Sequence, residues 1–256
     1  MSTLTIPTRA FIGLLSDVIR TAGDDPELPA LSTVLLHSDR GDWAITDDDS
    51  EDGAEPLIDT IPSDLLIGSS TNRYAVGQAH TACEGTLHRP VVVAVAEAKV
   101  LVSGFRPAAA AVGKDVVHRV IVTLEGNTLT VTEDPTLIPD GLSVSFPVTS
   151  GDDFPRFADL MDPDPFVAVV QDGEVVLPSR GTVLAPVYLA AFAAIGKRRA
   201  APVILYRHHQ SRPLVVEIGS AYRGLVMPAA PEDDVSLDEP EVRVFVPDVH
   251  DSDGAP

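Results

Sequence analysis

Three sets of basic residues recur at helical spacing in this chain, and phosphate binding is the chemistry they suit. Arg9 and Arg20 lie three helical turns apart with Ser16 between them; Lys99 and Arg106 lie two turns apart with Ser103 between; Lys197, Arg198 and Arg199 are consecutive. On helices, each of the first two sets shares one face. Cations ranked along a surface without base-reading aromatics contact phosphate backbones in a sequence-independent, salt-sensitive way. The same spacing suits ordinary solvated faces, and Lys197–Arg199 also suits the negative end of a helix dipole. Spacing alone leaves the two readings open.

Catalysis finds little to build on. The sequence holds no GxSxG, P-loop, GxGxxG or HExxH pattern. His208 and His209 are adjacent, so on a strand they point to opposite faces and cannot chelate one metal. His80 and His88 fall on separate expected strands that could bring them together. Asp152, Asp153, Asp162 and Asp164 flank Phe154-Pro155-Arg156-Phe157 as loop acids with nothing nearby to tune them. Cys83 is the only cysteine, which excludes an internal disulfide and a cysteine-cluster zinc site. The expectation is a protein that is not an enzyme and carries neither metal nor cofactor.

The chain of 256 residues has a formal net charge of −20, which speaks against nucleic acid only if the charge is spread evenly. It is not. Between residues 165 and 230 there are seven Lys and Arg against three Asp and Glu, whereas 231–256 holds one against nine. No apolar run reaches membrane-spanning length, and MSTLTIPTRAF lacks the basic and apolar regions of a signal peptide. A cytoplasmic protein is expected.

The elements that must position the basic sets read as follows. Residues 3–7 form a strand, and Thr8 caps a helix whose stripe is Phe11, Leu14, Leu15, Val18 and Ile19, with Gly23 as its stop. Residues 31–37 form a buried strand with 42–46 as a short partner; 47–56 (DDDSEDGAEP) is a solvated loop, its spacing wrong for an EF-hand. Strands at 72–80 and 85–94 lead to a second helix at 96–106, apolar at Ala98, Leu101, Val102 and Phe105 and ended by Pro107. A hairpin turns at Glu125-Gly126-Asn127, and 142–148 alternates as a strand. A third unit brings EVVLP as a strand, a helix with the stripe Leu184, Tyr188, Phe192 and Ile195, then PVILYRH and a hairpin over 213–228 that ends Val226-Met227-Pro228. Strand, helix and several antiparallel strands thus recur three times at a period near 75 residues. Residues 231–256 read as a mostly disordered acidic tail, within which EVRVFVPDV could add an edge strand or dock.

Several segments, in order, resemble the bacterial DNA polymerase III β subunit, the sliding clamp. They are LPALSTVLLHSD at 28–39, Thr71-Asn72-Arg73-Tyr74, PVVVAVAEAKVL at 90–101, Phe154-Pro155-Arg156-Phe157, and PVYLAAFAAI followed by a hairpin ending LVMP. Together they span residues 3–228. The resemblance implies an α+β, DNA-clamp fold: repeated strand-helix-antiparallel-strand modules with helices on one face of curved sheets. It divides the chain into 1–164, two modules; 165–230, one module of a partial domain; and the tail 231–256. The departures are the module count, three where the family has six, and an acidic tail in place of a short basic end.

What the resemblance implies about function is a DNA replication processivity factor that encircles double-stranded DNA without reading its sequence. Arg9, Arg20, Lys99, Arg106, Lys197, Arg198 and Arg199 would face the DNA. Thr71, Arg73 and Tyr74 would form one side of a hydrophobic peptide groove and Val226, Met227 and Pro228 the other, accepting short linear peptides from DNA polymerase or other clients. The implied partners include a clamp loader and further copies of the chain: twelve modules per ring would take four chains of three. The location would be cytoplasmic and nucleoid-associated, with no membrane contact. Two rival readings remain: a non-encircling clamp-fold decoy, inhibitor or client-binding adaptor, and an unrelated α+β enzyme acting on a small molecule.

Overall fold

The computed structural model describes residues 1–25, 27–46, 58–111, 117–136, 140–155, 169–171, 174–176, 184–207 and 213–229. The acidic loop 47–56, Arg156, Phe157, Asp162, Asp164, His208, His209 and the tail 231–256 lie outside these residues.

The first strand, β1 (Ser2–Pro7), buries Leu4 and Ile6 on alternate positions and leads directly into α1 (Thr8–Val18). Thr8 is the first helical residue rather than its cap, and no side chain caps this helix. The Thr8 hydroxyl is instead 2.7 Å from Nδ1 of buried His118, and the Thr8 N–H donates to the His118 carbonyl at 2.9 Å. A single 3₁₀ turn (Ile19–Thr21) closes α1 before Gly23 is reached.

Residues 42–46 continue the preceding strand instead of pairing with it. The result is one long strand, β2 (Thr33–Thr46), antiparallel to an equally long β3 (Ile58–Thr71). β3 was not expected from the sequence: IPSDLLIGSS mixes a proline, a glycine and polar residues, so its period is hard to read. β4 (Ala75–Gly85) and β5 (Val91–Ala94) follow, then α2 (Val95–Ala111). Pro107 lies inside α2 and does not end it. Proline costs one backbone hydrogen bond, and the alanines at 108–111 are strong enough helix formers to carry the helix past it. β6 (Arg119–Glu125) and β7 (Thr128–Glu133) form the expected hairpin, with Gly126 at φ 54°; β8 (Ser143–Pro147) and the short β9 (Thr149–Ser150) come next.

The third unit contains the short hairpin β10 (Val169–Gln171) and β11 (Glu174–Val176), then α3 (Pro186–Arg199), β12 (Val203–Tyr206), β13 (Leu214–Ile218) and β14 (Tyr222–Val226). Among the described residues twelve strands form one hydrogen-bonded system. Its main path runs β8-β7-β6-β1-β4-β3-β2-β5-β9, and β14-β13-β12 branches from β4. The branch point joins the end of the chain to its first unit: Tyr222 pairs with Ala79 and Val226 with Ala75. Gly77 permits this approach, because a Cβ there would collide with the hydroxyls of Thr21 and Tyr222.

All three helices lie on one core. Phe11, Leu14, Leu15 and Val18 of α1, Ala98, Leu101 and Phe105 of α2, and Phe192 and Ile195 of α3 are buried in a single cluster with Ile6, Leu36, Leu66, Val122 and Val216 of the strands. Burying a side chain of this size stabilises by about 1.5–3 kcal/mol. The stripes read from the sequence are therefore the faces that hold the helices down, and the basic sets lie on what remains.

Candidate functional site

α1 and α2 lie side by side, and an open trough of about 290 Å³ runs between them. Arg20, Lys99 and Arg106 line it together with Ser16, Ser103, Ile19 and Val102. Three expected phosphate-facing residues from two helices thus meet, and all three are exposed. Arg20 and Lys99 also border a larger cavity of about 760 Å³, which reaches Asn72, Val187 and Tyr188 at the start of α3. Arg9 is exposed, but at the other end of α1, where its Nε donates to the carbonyl of Ala109 at 3.1 Å.

Lys197, Arg198 and Arg199 divide. Lys197 is exposed. Arg198 and Arg199 turn onto Asp17 of α1, whose side chain is 0% exposed: Arg198 makes a two-pronged ion pair with it, and Arg199 Nε donates to its Oδ2 at 2.8 Å. Arg199 also donates to the Ala221 carbonyl at 3.2 Å and lies over the Tyr222 ring at 5.7 Å. Two cations expected on a phosphate surface are therefore committed to a buried carboxylate. A buried carboxylate needs charged partners, and here they clamp the C-terminal end of α3 to α1. Asp17 carried no signal of this in sequence, because it reads as one more polar residue beside the stripe.

The second surface forms where β3 turns into β4. Asn72 Oδ1 accepts from the N–H groups of Tyr74 (3.1 Å) and Ala75 (2.8 Å), and Thr71 Oγ1 donates to the Ala75 carbonyl (3.0 Å) while accepting from the Arg73 N–H (3.2 Å). These bonds hold Arg73 at φ 80°, a left-handed conformation uncommon for a residue with a Cβ. The end of β14 comes alongside, with the Met227 N–H donating to the Tyr74 carbonyl at 2.8 Å. The two expected halves of the groove are thus adjacent, although more than 150 residues separate them in the chain.

Their side chains do not all face outward. Val226 is 0% and Thr71 5% exposed, so these two support the backbone rather than line an open surface. Arg73, Tyr74 and Met227 are exposed and Pro228 is half-buried. Tyr188 of α3 stacks on Tyr74, with ring centroids 5.4 Å apart and planes at 23°. Tyr188 had been read as core from its place in the helical stripe; its half-buried ring serves both the core and this surface.

Histidine clusters do not form. His88 Nδ1 lies 2.7 Å from the Ser2 hydroxyl, while His80 faces Arg199, and its pKa is held below the ordinary value by burial first and that guanidinium second. Cys83 is half-buried, and burial with Asp64 and Glu84 nearby pushes its thiol up to about 11. Among the described residues no group of three or more His, Cys, Asp or Glu could hold a metal ion, and no helix is long and apolar enough to cross a membrane.

The fold defines the class: an α+β chain of the sliding-clamp type, seen in bacterial DNA polymerase III β chains. Crystal structures similar to it include the β chain of Streptococcus pneumoniae (TM-score 0.56, 11% identity, 91% of this chain and 66% of that one). The β subunit of Thermotoga maritima gives a TM-score of 0.59 at 12% identity, covering 91% of this chain and 66% of that one. The sliding clamp of Caulobacter crescentus gives 0.56 at 15% identity, covering 91% and 67%. This chain thus spans about two thirds of the length of the clamps it resembles. No protein-family model and no curated protein matches its sequence.

Proposed function

We propose that the chain acts as a sliding-clamp-like processivity factor: it surrounds duplex DNA as a homo-oligomer and tethers a polymerase or other client through a short peptide held at the Tyr74–Met227 surface. The observation that carries this reading is the junction itself. Tyr74, Tyr188 and Met227 come from a turn, a helix and a strand end, and they converge on one exposed, largely apolar surface. An exposed apolar surface built from three separated elements suits a peptide ligand. The trough of Arg20, Lys99 and Arg106 supports loose phosphate contact on a different face of the same core, with no catalytic role for any residue. A cytoplasmic, nucleoid-associated location and help from a clamp loader belong to this proposal.

One observation favours a second reading, a clamp-fold adaptor or decoy that binds clients without enclosing DNA. With Arg198 and Arg199 held by Asp17, fewer cations remain to offset a net charge of −20. Two assays on the full chain separate the readings. Fluorescence anisotropy with labelled C-terminal peptides of replicative polymerases tests the groove: binding in the parent and at least tenfold weaker binding in Tyr74→Ala and Met227→Ala are expected. Retention on circular but not linearised DNA tests enclosure. Peptide binding without DNA retention selects the adaptor, and loss of neither peptide in the two variants removes the groove.

A further inference from the structure

The strand β12 reads Val203-Ile204-Leu205-Tyr206, apolar at every position, a pattern that belongs to strands covered on both faces. Here the four side chains are 38%, 43%, 41% and 40% exposed. β12 pairs with β13 along one edge, and no other described strand pairs with it.

The first unit shows what this position ordinarily holds. There a helix is followed by three antiparallel strands, α2-β6-β7-β8, just as α3 is followed by β12-β13-β14. β6 is flanked by β7 on one side and on the other by β1, paired antiparallel from Ser2↔Leu124 to Pro7↔Arg119. So covered, Val120, Val122 and Leu124 are 0% exposed. β12 occupies the place of β6 without a counterpart of β1. No charge or proline interrupts Val203–Tyr206, although free edges commonly carry one.

We propose that β12 is a self-association edge, its occupant being the β12 strand of a second copy of this chain. The chemistry of the edge selects that occupant. The neighbouring carboxylate, Glu217, is held by Arg223 at 2.8 Å, so an uncharged apolar strand is the complement required. The other free edges do not supply one: β8 carries Ser143, Ser145 and Pro147, and β9 is the two residues Thr149 and Ser150. Every pairing from β3 through β4, β14 and β13 to β12 is antiparallel, and a two-fold axis normal to the sheet continues that pattern. With the axis at Leu205, the two Leu205 residues face each other and Ile204 meets Tyr206 of the second copy, keeping Pro202 out of the ladder. This surface is separate from both the trough and the Tyr74–Met227 surface. A strand pair of this length lies at the small end of interface areas, so the dimer dissociates on dilution.

The test is light scattering on the full chain over a concentration series. The expected mass climbs from 27.1 kDa toward twice that value. Leu205→Lys, which sets like charges opposite each other at an exposed position, is expected to stay monomeric with an unchanged melting temperature. In a Cys83→Ser background, Leu205→Cys is expected to give a disulfide-linked dimer on mild oxidation. A parent that is monomeric at every concentration overturns the proposal, and so does a dimer that survives Leu205→Lys. A Leu205→Cys thiol in a monomer that resists alkylation also overturns it, since the chain would then be covering its own strand. Peptide binding by Leu205→Lys is read in parallel: its persistence shows that loss of the dimer is not loss of the groove.

Discussion

Arg199 donates from Nε to Oδ2 of Asp17 at 2.8 Å across 182 positions of sequence, and Arg198 shares the same carboxylate. One buried residue of α1 thereby fixes the far end of α3 and, with it, the helix that supplies Tyr188. Removing one partner of a buried ion pair typically costs about 3–5 kcal/mol, because the remaining charge stays desolvated. Asp17→Ala is expected to lower stability by roughly that amount in urea denaturation, while Lys197→Ala, on the exposed neighbour, shifts it by less than about 0.5 kcal/mol. Equal effects in the two variants would refute the clamp between α1 and α3.

Phosphate contact by the trough has a distinct signature in salt. Each neutralised phosphate contributes about 0.9 to the slope of log affinity against log salt. Replacing Arg20, Lys99 and Arg106 together with alanine is expected to flatten that slope by about 2–3, measured by titrating duplex DNA at several salt concentrations. The variant's stability should be unaffected, because these side chains lie on the exposed face. A slope that does not change would move any DNA contact elsewhere.

His80 gives the fold an acid-side weakness. Burial and Arg199 hold its folded pKa below the ordinary value of 6.5, so its neutral form is favoured in the native state. Its contribution is complete above pH 6.5 and is lost as pH falls toward the depressed folded value. The melting temperature should therefore drop between pH 7.5 and 5.5 by less in His80→Asn than in the parent. An identical drop in both would rule out His80 as a contributor.

Arg73 holds a conformation that glycine adopts at no steric cost, at φ 80°. Arg73→Gly is expected to leave stability unchanged or raise it by up to about 1 kcal/mol, since relief of the left-handed penalty offsets the added freedom of the unfolded chain. If Arg73 also touches a bound peptide, the same variant should bind more weakly while melting no lower. Chemical denaturation and anisotropy on one preparation separate the two effects.

Helix faces were legible in this sequence because a stripe such as Phe11, Leu14, Leu15 and Val18 states both the element and the side it buries. The hairpins at Gly126 and Gly219 were legible for a similar reason: both glycines sit at positive φ. β3 was not, because its inward residues Leu66, Gly68 and Ser70 do not form an apolar alternation, yet all three are buried. The groove's two halves could be named in advance through resemblance. Which of their side chains point outward could not, since that depends on Val226 pairing with Ala75 and so turning inward. The same limit applied to Arg198 and Arg199, whose partner Asp17 is distant in sequence and close only after α3 docks.

The pairing of β4 with β14 also sets an order of events while the chain is being made. Residues 75–79 of β4 are synthesised early, but their partners at 222–226 come about 150 residues later, a delay of roughly 7–30 s at ordinary elongation rates of about 5–20 residues per second. Through that interval one side of β4 has no strand beside it, and Gly77, the residue that lets Tyr222 approach so closely, leaves that stretch without a bulky side chain to shield it. The nascent chain is therefore most open to mispairing with its neighbours on a polysome, before the ribosome has released the strand that completes it.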